Sequence, residues 1–206
     1  SLIRPDIYGD MIILFEYSSG SWDMYMYDIS TGVETRIIDI PGLIHTADIY
    51  ENRIAWANSR SNQYDIYMYD TSTGVETRIT SDLSDQYSSN IYGDKIIWVD
   101  RRNSSYNIYM YDISTGVETR ITNYSNNQFD SQIYGEIYEN IIVYTDNRNG
   151  NKDIYMYDIS TGVETRITSD NTSQLGPDIY ENIIVWNKNN NIKYSLNYVN
   201  ICSNFS

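Results

Sequence analysis

The chain has 206 residues and a net charge of −14, with 28 acidic and 14 basic residues, 22 tyrosines and one cysteine. This charge excludes a nucleic-acid partner, because phosphate contacts need clustered lysine and arginine, and it disfavours anionic membranes. No apolar run is long enough to span a bilayer and a single cysteine allows no internal disulfide, so we also expect no membrane insertion.

One segment occurs four times along the chain. Its sequence is Tyr-Met-Tyr-Asp-Ile-Ser-Thr-Gly-Val-Glu-Thr-Arg-Ile, its copies start at Tyr25, Tyr67, Tyr109 and Tyr155, and only Thr71 breaks their identity. A second marker, Ile-Tyr followed by Gly-Asp or Glu-Asn, starts at Ile7, Ile49, Ile91, Ile137 and Ile179. Both markers repeat every 42 or 46 residues, a period typical of stacked supersecondary units. Five markers predict one domain over 1–206 with units at about 3–42, 43–84, 85–126, 127–172 and 173–206.

Each unit reads as four short strands. In the first unit, Pro5–Tyr8 is followed by a Gly9-Asp10 hairpin turn and by a second strand, Met11–Phe15. A polar loop of different sequence in every unit leads to the Tyr-Met-Tyr-Asp strand. The Ser-Thr-Gly turn then needs glycine at a positive φ, and Asp28 and its equivalents can accept hydrogen bonds from its backbone. Val-Glu-Thr-Arg-Ile forms the fourth strand.

The third strand is apolar or amphipathic on both faces. Ile66 and Met68 lie on one face, and Tyr67 and Tyr69 lie on the other. A half-solvated antiparallel sheet would alternate apolar with polar residues, so each sheet must lie between two others. The pattern predicts an all-β fold, a five-bladed β-propeller of four-stranded antiparallel blades with about 42 residues per blade.

Two units depart from the pattern. In the fifth unit, Ile192–Leu196 replaces the Tyr-Met-Tyr-Asp strand, and Tyr198–Cys202 is predicted to be the fourth strand. The fourth unit has extra residues, either Gly135–Tyr138 or the preceding Ile133 and Tyr134. We expect a bulge or a longer loop there.

The ordered motifs resemble the repeat of TolB-like β-propellers. They are Pro-Asp-Ile-Tyr-Gly-Asp, Ile-Ile-Trp-Val-Asp, Asp-Ile-Tyr-Met-Tyr-Asp, Thr-Gly and Glu-Thr-Arg-Ile-Thr, and the likeness covers about residues 3–187. More narrowly, they are similar to repeats of large archaeal and bacterial cell-surface proteins. The resemblance implies an exported surface or binding module and brings no catalytic residue. TolB proteins usually have about six blades, so neither that blade number nor a TolB partner is carried over.

Five polar residues stand directly before the Ile-Tyr markers. They are Asp6, Asp48, Asn90, Glu136 and Asp178. If the inner strands line an axis, these side chains form a ring that could bind a cation or a polyol, or raise a carboxyl pKa. A glycosidase would need two or three such carboxylates in unlike environments, which near-identical repeats do not favour. We favour turn capping and keep the five as candidate ligand-binding residues.

Aromatic residues beside the variable loops are the second candidate site. Trp22, Tyr64 and Tyr106 precede the third strand, where they could stack on sugar rings or peptides. Packing within the blade is the interpretation we favour for them.

The remaining candidates for chemistry are weak. The loop Asp146–Asp153 faintly resembles a calcium loop, but Arg148 stands where an oxygen ligand is needed, so we predict an Asn/Gly hairpin loop. His45, the one histidine, is predicted to be solvated in a linker, and Cys202 has no activating base nearby. We predict no metal site, no cofactor and no catalytic residue.

These observations favour a non-catalytic propeller that serves as a cell-surface or extracellular interaction or scaffolding module, with a protein or glycan partner at its faces. A lectin-like carbohydrate binder with repeated sites between blades is the alternative. A glycosidase-like enzyme that uses funnel carboxylates is a third hypothesis. We expect an exported, monomeric ring that is a mature or excised piece of a longer multidomain protein.

Overall fold

The computed structural model describes residues 5–18, 20–60, 62–102, 105–124, 135–188 and 191–196. These residues form nineteen β-strands in five antiparallel sheets. The sheets belong to two compact units, of which the first ends at Arg120 and the second starts at Ile121. No helix among the described residues has the length and hydropathy needed to cross a membrane.

The first unit contains three sheets, and each is a four-stranded meander in chain order. The first sheet consists of β1 (Asp6–Tyr8), β2 (Met11–Ser18), β3 (Ser21–Asp28) and β4 (Val33–Ile40). The second consists of β5 (Ile44–Tyr50), β6 (Arg53–Asn58), β7 (Asp65–Asp70) and β8 (Val75–Arg78). The third consists of β9 (Gln86–Tyr92), β10 (Lys95–Asp100), β11 (Asn107–Asp112) and β12 (Val117–Arg120).

The second unit contains a fourth sheet of the same kind and a fifth sheet with three described strands. The fourth sheet consists of β13 (Gly135–Tyr138), β14 (Ile141–Asp146), β15 (Asp153–Asp158) and β16 (Val163–Arg166). The fifth consists of β17 (Gln174–Tyr180), β18 (Ile183–Lys188) and β19 (Asn191–Leu196). The strand predicted at Tyr198–Cys202 lies outside the described residues.

Every sheet has two distinct ends, because its strands alternate in direction. We call the end that carries the turn between the first and second strands, and the turn between the third and fourth, the hairpin end. The opposite end carries the variable loops and is called the loop end. The first strand of each sheet is its inner strand.

The turns at the hairpin end follow the predicted chemistry. Gly32, Gly74, Gly116 and Gly162 have φ between 68° and 71°, and the amide of each donates to the carbonyl oxygen of the aspartate four residues earlier at 2.8 Å. In the turn after the inner strand, Gly9 and Gly93 have φ of 56° and 58°. Glutamate takes the same left-handed position in the other three sheets, at Glu51, Glu139 and Glu181.

The core lies between neighbouring sheets, as two apolar faces per strand predict. Ile54 and Trp56 of β6 pack with residues of the first sheet such as Ile13 and Met24. The intervening Ala55 and Ala57 turn the other way and pack against the third sheet. In the second unit, the fourth and fifth sheets share a core in the same way. Burying a side chain as large as Trp56 contributes roughly 2–3 kcal/mol, so sheet stacking stabilises each unit.

Two expectations concern strand boundaries. The extra residues of the fourth unit form no bulge within Gly135–Tyr138, since β13 pairs with β14 in unbroken register, and the alternative, Ile133 and Tyr134, lies outside the described residues. His45 is not in a linker, because the inner strand of the second sheet already begins at Ile44. The pairing register shifts in the inner strands β5, β9 and β17, and also between β3 and β4 of the first sheet. In the inner strands, these bulges extend the strand toward its N-terminal side, into residues that the sequence analysis assigned to a polar link between units.

Candidate functional site

The carboxylates at the inner strands join neighbouring sheets. Asp6 Oδ2 accepts a hydrogen bond from the amide of Ile49 at 3.1 Å, and Asp48 Oδ2 accepts one from the amide of Ile91 at 2.6 Å. Each bond reaches from one inner strand to the next, across 43 residues of sequence. The inner strand pairs with only one strand of its own sheet, so these edge amides need side-chain acceptors, and the amide of Ile49 has a second one in Asp48 Oδ1 of its own strand at 2.9 Å.

The other predicted ring residues occupy equivalent places. Asn90 lies on β9 in the first unit, and Glu136 lies on β13 in the second. Asp178 lies on β17, where its Oδ1 accepts a hydrogen bond from the amide of Ile179 at 2.7 Å. The first unit therefore brings Asp6, Asp48 and Asn90 onto adjacent inner strands, and the second does the same for Glu136 and Asp178. Whether the five bind a ligand stays a prediction.

Asn90 indicates what this position requires. An asparagine offers an oxygen that accepts a hydrogen bond, but it has no proton to exchange near neutral pH. A position that carries aspartate in one sheet and asparagine in the next fits an acceptor for a backbone amide better than an acid or a base. The repeated carboxylates thus have a structural task that the sequence analysis did not foresee.

The three predicted loop aromatics lie near the loop end and are largely packed. Trp22 is partly buried and packs on the core between the first two sheets, with its ring centroid 5.1 Å from that of Tyr17. Tyr64 is also partly buried, against the core between the second and third sheets. Tyr106 is only 8% exposed, which does not fit an open stacking surface.

His45 contacts Tyr64, one of these aromatics; the sequence analysis set this residue aside as solvated, and it is exposed as predicted. Its ring centroid lies 5.8 Å from that of Tyr64 and 5.6 Å from that of Tyr87. Desolvation lowers the pKa of the imidazole, so the ring is neutral at pH 7. His45 and Tyr87 both stand three residues before a ring residue, Asp48 or Asn90, and this shared repeat position was the available signal.

We call the surface around His45 the loop-end patch. It consists of Leu43, His45, Tyr64, Leu83 and Tyr87. Leu83 is 90% exposed and Leu43 is 57% exposed, so the segments that adjoin the rings carry apolar surface open to water. Burial and a hydrogen bond with Tyr106 raise the pKa of Tyr87, which keeps its hydroxyl protonated. The five side chains of the patch are aromatic or aliphatic, and Asp85 and Arg101 are charged groups close enough to act on the Tyr87 hydroxyl.

A stack of arginine on two aromatic rings recurs at the loop end of three sheets. Arg60 lies 4.0 Å from the ring centroid of Tyr67, which itself stacks on Trp56. The equivalent stacks are Arg102 on Tyr109 and Trp98, and Arg148 on Tyr155 and Tyr144. Each arginine also pairs with the glutamate of the fourth strand, at Glu76, Glu118 or Glu164. An Asn or Asp two residues before each arginine is the sequence pattern from which this repeated stack could have been predicted.

No described residues form a metal site of three or more His, Cys, Asp or Glu side chains. The loop that faintly resembles a calcium loop is a turn, in which Gly150 donates to the carbonyl oxygen of Asn147 at 3.0 Å. The Asp146 carboxylate of this loop already has a cationic partner, because the guanidinium of Arg148 pairs with Asp146 Oδ2 at 2.9 Å. A cation at this loop would compete with the arginine.

Comparison with known proteins identifies the fold. The sequence matches no protein-family model and no curated protein. TolB from Acinetobacter baumannii matches with a TM-score of 0.64 and 21% identity, over 91% of this chain and 52% of that chain. A TolB-like protein from Agrobacterium tumefaciens matches with a TM-score of 0.64 and 17% identity, over 89% of this chain and 68% of that chain.

The predicted fold class is therefore confirmed: the chain is an all-β, five-bladed propeller with a TolB-like fold. It spans only about half of the Acinetobacter TolB. Enzymes also contain such a fold. Puromycin hydrolase matches with a TM-score of 0.61 and 11% identity, over 88% of this chain and 32% of that chain.

Proposed function

We propose that this TolB-like propeller chain is a non-catalytic interaction module that binds a protein partner through the loop-end patch. The observation that carries the proposal is the cluster of the His45, Tyr64 and Tyr87 rings, with exposed leucines on two adjoining segments. Leu43 directly precedes β5, and Leu83 lies in the link whose Asp82 and Asp85 accept hydrogen bonds from Gln63 and Tyr64. Exposed apolar side chains that group with aromatic residues are typical of binding surfaces. The variable loops, which differ in every repeat, are also where a selective surface would evolve on a repeated scaffold.

The non-catalytic part of the proposal rests on the inner-strand carboxylates. Acid and base catalysis needs two groups with different environments, whereas Asp6 and Asp48 both accept a backbone amide of the next inner strand. Turnover of nitrophenyl glycosides is expected to be absent. A measurable hydrolysis rate that Asp48→Asn abolishes would contradict this part.

The binding experiment uses arrays of secreted and surface proteins, and titration calorimetry of the partners found there. The double variant His45→Ala, Leu83→Ser should bind at least about tenfold more weakly, because both side chains lie at the patch. The control is Leu175→Ser, since Leu175 stands at the His45 position of the fifth sheet and is 38% exposed. Absence of binding, or equal loss in the control, would overturn the proposal.

A glycan is the second candidate partner at the same patch. Tyrosine and histidine rings can stack on a sugar face while their polar atoms meet its hydroxyls. Because Leu175 replaces the histidine in the fifth sheet, this patch is a single site and not one of five similar sites. A glycan array that gives hits lost in the double variant would favour this candidate over a protein.

Export to the cell surface belongs to the same proposal. Its support is the resemblance of the repeats to those of cell-surface proteins, together with the acidic surface that a net charge of −14 gives. Protease treatment of intact cells should digest the protein without lysis. Protection until the cells are broken open would refute the surface location.

A further inference from the structure

The hairpin end carries a row of tyrosines, one at the end of each inner strand. In the first unit, Tyr8 lies 4.7 Å from Tyr50 and Tyr50 lies 4.5 Å from Tyr92, measured between ring centroids. In the second unit, the ring centroids of Tyr138 and Tyr180 are 5.3 Å apart. We call Tyr8, Tyr50 and Tyr92 the tyrosine row. It lies at the opposite end of the blades from the loop-end patch and does not depend on it.

The row is half buried and half accessible. Tyr50 packs with one side against the core between the second and third sheets. Tyr8 is 38% exposed, whereas Ile49 and Ile91, which precede Tyr50 and Tyr92, are 4% and 3% exposed. The isoleucines thus fill the core, and the tyrosines cover its end with ring surface that faces water. Burial and the neighbouring Tyr50 hydroxyl raise the pKa of Tyr8.

Negative charge surrounds this ring surface. The turn that follows each tyrosine of the row carries a carboxylate, at Asp10, Glu51 and Asp94. The turns between the third and fourth strands add Asp28, Asp70 and Asp112 at the same end. Among the described residues of the first unit, Arg53 and Lys95 are the cations at this end, and Arg53 is already paired with Asp94 at 2.5 Å. The field at this end therefore attracts positive charge.

We propose that the tyrosine row docks a lysine- or arginine-rich polypeptide segment. Aromatic faces attract ammonium and guanidinium groups, and the neighbouring carboxylates add long-range attraction. The row continues from blade to blade, so it fits an extended chain with several cations better than a compact ligand with one. Glu51, which acts electrostatically on the Tyr8 hydroxyl, supplies a carboxylate beside the rings.

The first test is fluorescence anisotropy with a labelled oligolysine peptide, with a fully acetylated oligolysine as the uncharged control. Oligolysine should bind, and the acetylated peptide should not, because acetylation removes the ammonium charge. Spermine that binds as tightly as oligolysine would overturn the assignment of a polypeptide partner. Equal binding of the acetylated peptide would overturn the role of charge.

The second test separates the rings from general acidity. Tyr50→Leu and Tyr92→Leu keep apolar packing but remove the ring face, and each should weaken oligolysine binding about two- to fivefold. Tyr50→Phe keeps the aromatic ring face and should retain binding. It is the control that shows that position 50 tolerates substitution without a folding defect. Tyr27→Leu and Tyr69→Leu change tyrosines at the same end outside the row. Identical affinity of all five variants would show an acidic surface without a role for the row.

Discussion

At the residue scale, one repeat position shows how a small change alters a local network. Asp100 is fully buried and binds both the indole nitrogen of Trp98 and the guanidinium of Arg102. Burial alone would lower the pKa of Arg102, but its hydrogen bonds with Asp100 and Glu118 raise it. In the second sheet the same position is Asn58, which donates to the carbonyl oxygens of Pro41 and Leu43. The arginine–aromatic stack thus lies next to a buried carboxylate in the third sheet and next to a neutral amide in the second.

Removing the arginine should therefore cost more in the third sheet than in the second. Arg102→Ala leaves a buried carboxylate without its cation and should lower the free energy of unfolding by about 3 kcal/mol. Arg60→Ala leaves neutral Asn58 and should cost about 1 kcal/mol. Urea unfolding measures both values. Asp100→Asn added to Arg102→Ala should recover part of the loss, and a larger loss in the Arg60 variant would contradict the argument.

At the scale of the element, the hairpin turns reveal where the repeat tolerates strain. Gly9 and Gly93 occupy a left-handed position at no steric cost, whereas Glu51 at φ 52° does not. The third-to-fourth strand turn is uniform, and Asp70 Oδ1 accepts from the amides of Ser72 and Thr73 at 2.9 and 3.2 Å. Differences in stability between turns should follow these contacts.

In the turn between the first and second strands, replacing glutamate by glycine and replacing glycine by another residue should change stability in opposite directions. Glu51→Gly should raise the free energy of unfolding by about 1 kcal/mol, because it removes left-handed strain. Gly93→Ala should lower it by a similar amount, since φ is 58° although no atom lies within 4 Å of the added Cβ. Thermal unfolding of both variants measures the effect. A destabilised glycine variant would show that the Glu51 side chain holds the turn.

The turn aspartates should make stability depend on acid. A hydrogen bond with the Ser72 hydroxyl, with further bonds to the turn backbone, lowers the pKa of Asp70. A folded-state pKa below the unfolded value gives stability that is present above the unfolded pKa and lost as pH falls through the folded pKa. Because the turn is exposed, Asp70→Ala should lower the free energy of unfolding at pH 7 by about 1 kcal/mol at most. Below both pKa values, the variant and the wild-type protein should be equally stable. Unfolding across the acidic range measures this, and a pH-independent difference would refute it.

The sequence predicted the strands and turns well because both are local: glycine and aspartate specify the turn, and alternating Ile/Met and Tyr specify the strand. It could not predict the partners of Asp48 or the place of His45. The amide that Asp48 binds is 43 residues away, and the neighbours of His45 depend on where the inner strand begins. Contacts between repeats depend on how the sheets stack. The period of the repeat predicts that they stack, but it does not predict which residues meet.

At the scale of the whole molecule, the repeats form a scaffold in which residues shared between repeats join neighbouring sheets and the outer surfaces are left for binding. In each unit, apolar cores lie between sheets, and in the first unit carboxylates link successive inner strands. Near-identical blades could also stack out of order during folding, so contacts that fix neighbouring inner strands help to set their order. Binding then belongs to the loop-end patch and the tyrosine row.

The most direct test of this account is urea unfolding of variants at Asp48. Asp48→Ala leaves the Ile91 amide without its acceptor and is predicted to lower the free energy of unfolding by about 2 kcal/mol. Asp48→Asn should cost less than half of that, because the amide oxygen of asparagine can still accept from Ile91, and Asp6→Ala should cost less because Ile49 retains the Asp48 oxygen at 2.9 Å. Unchanged stability in Asp48→Ala, or an equal loss in Asp48→Asn, would contradict a structural role for the inner-strand carboxylates.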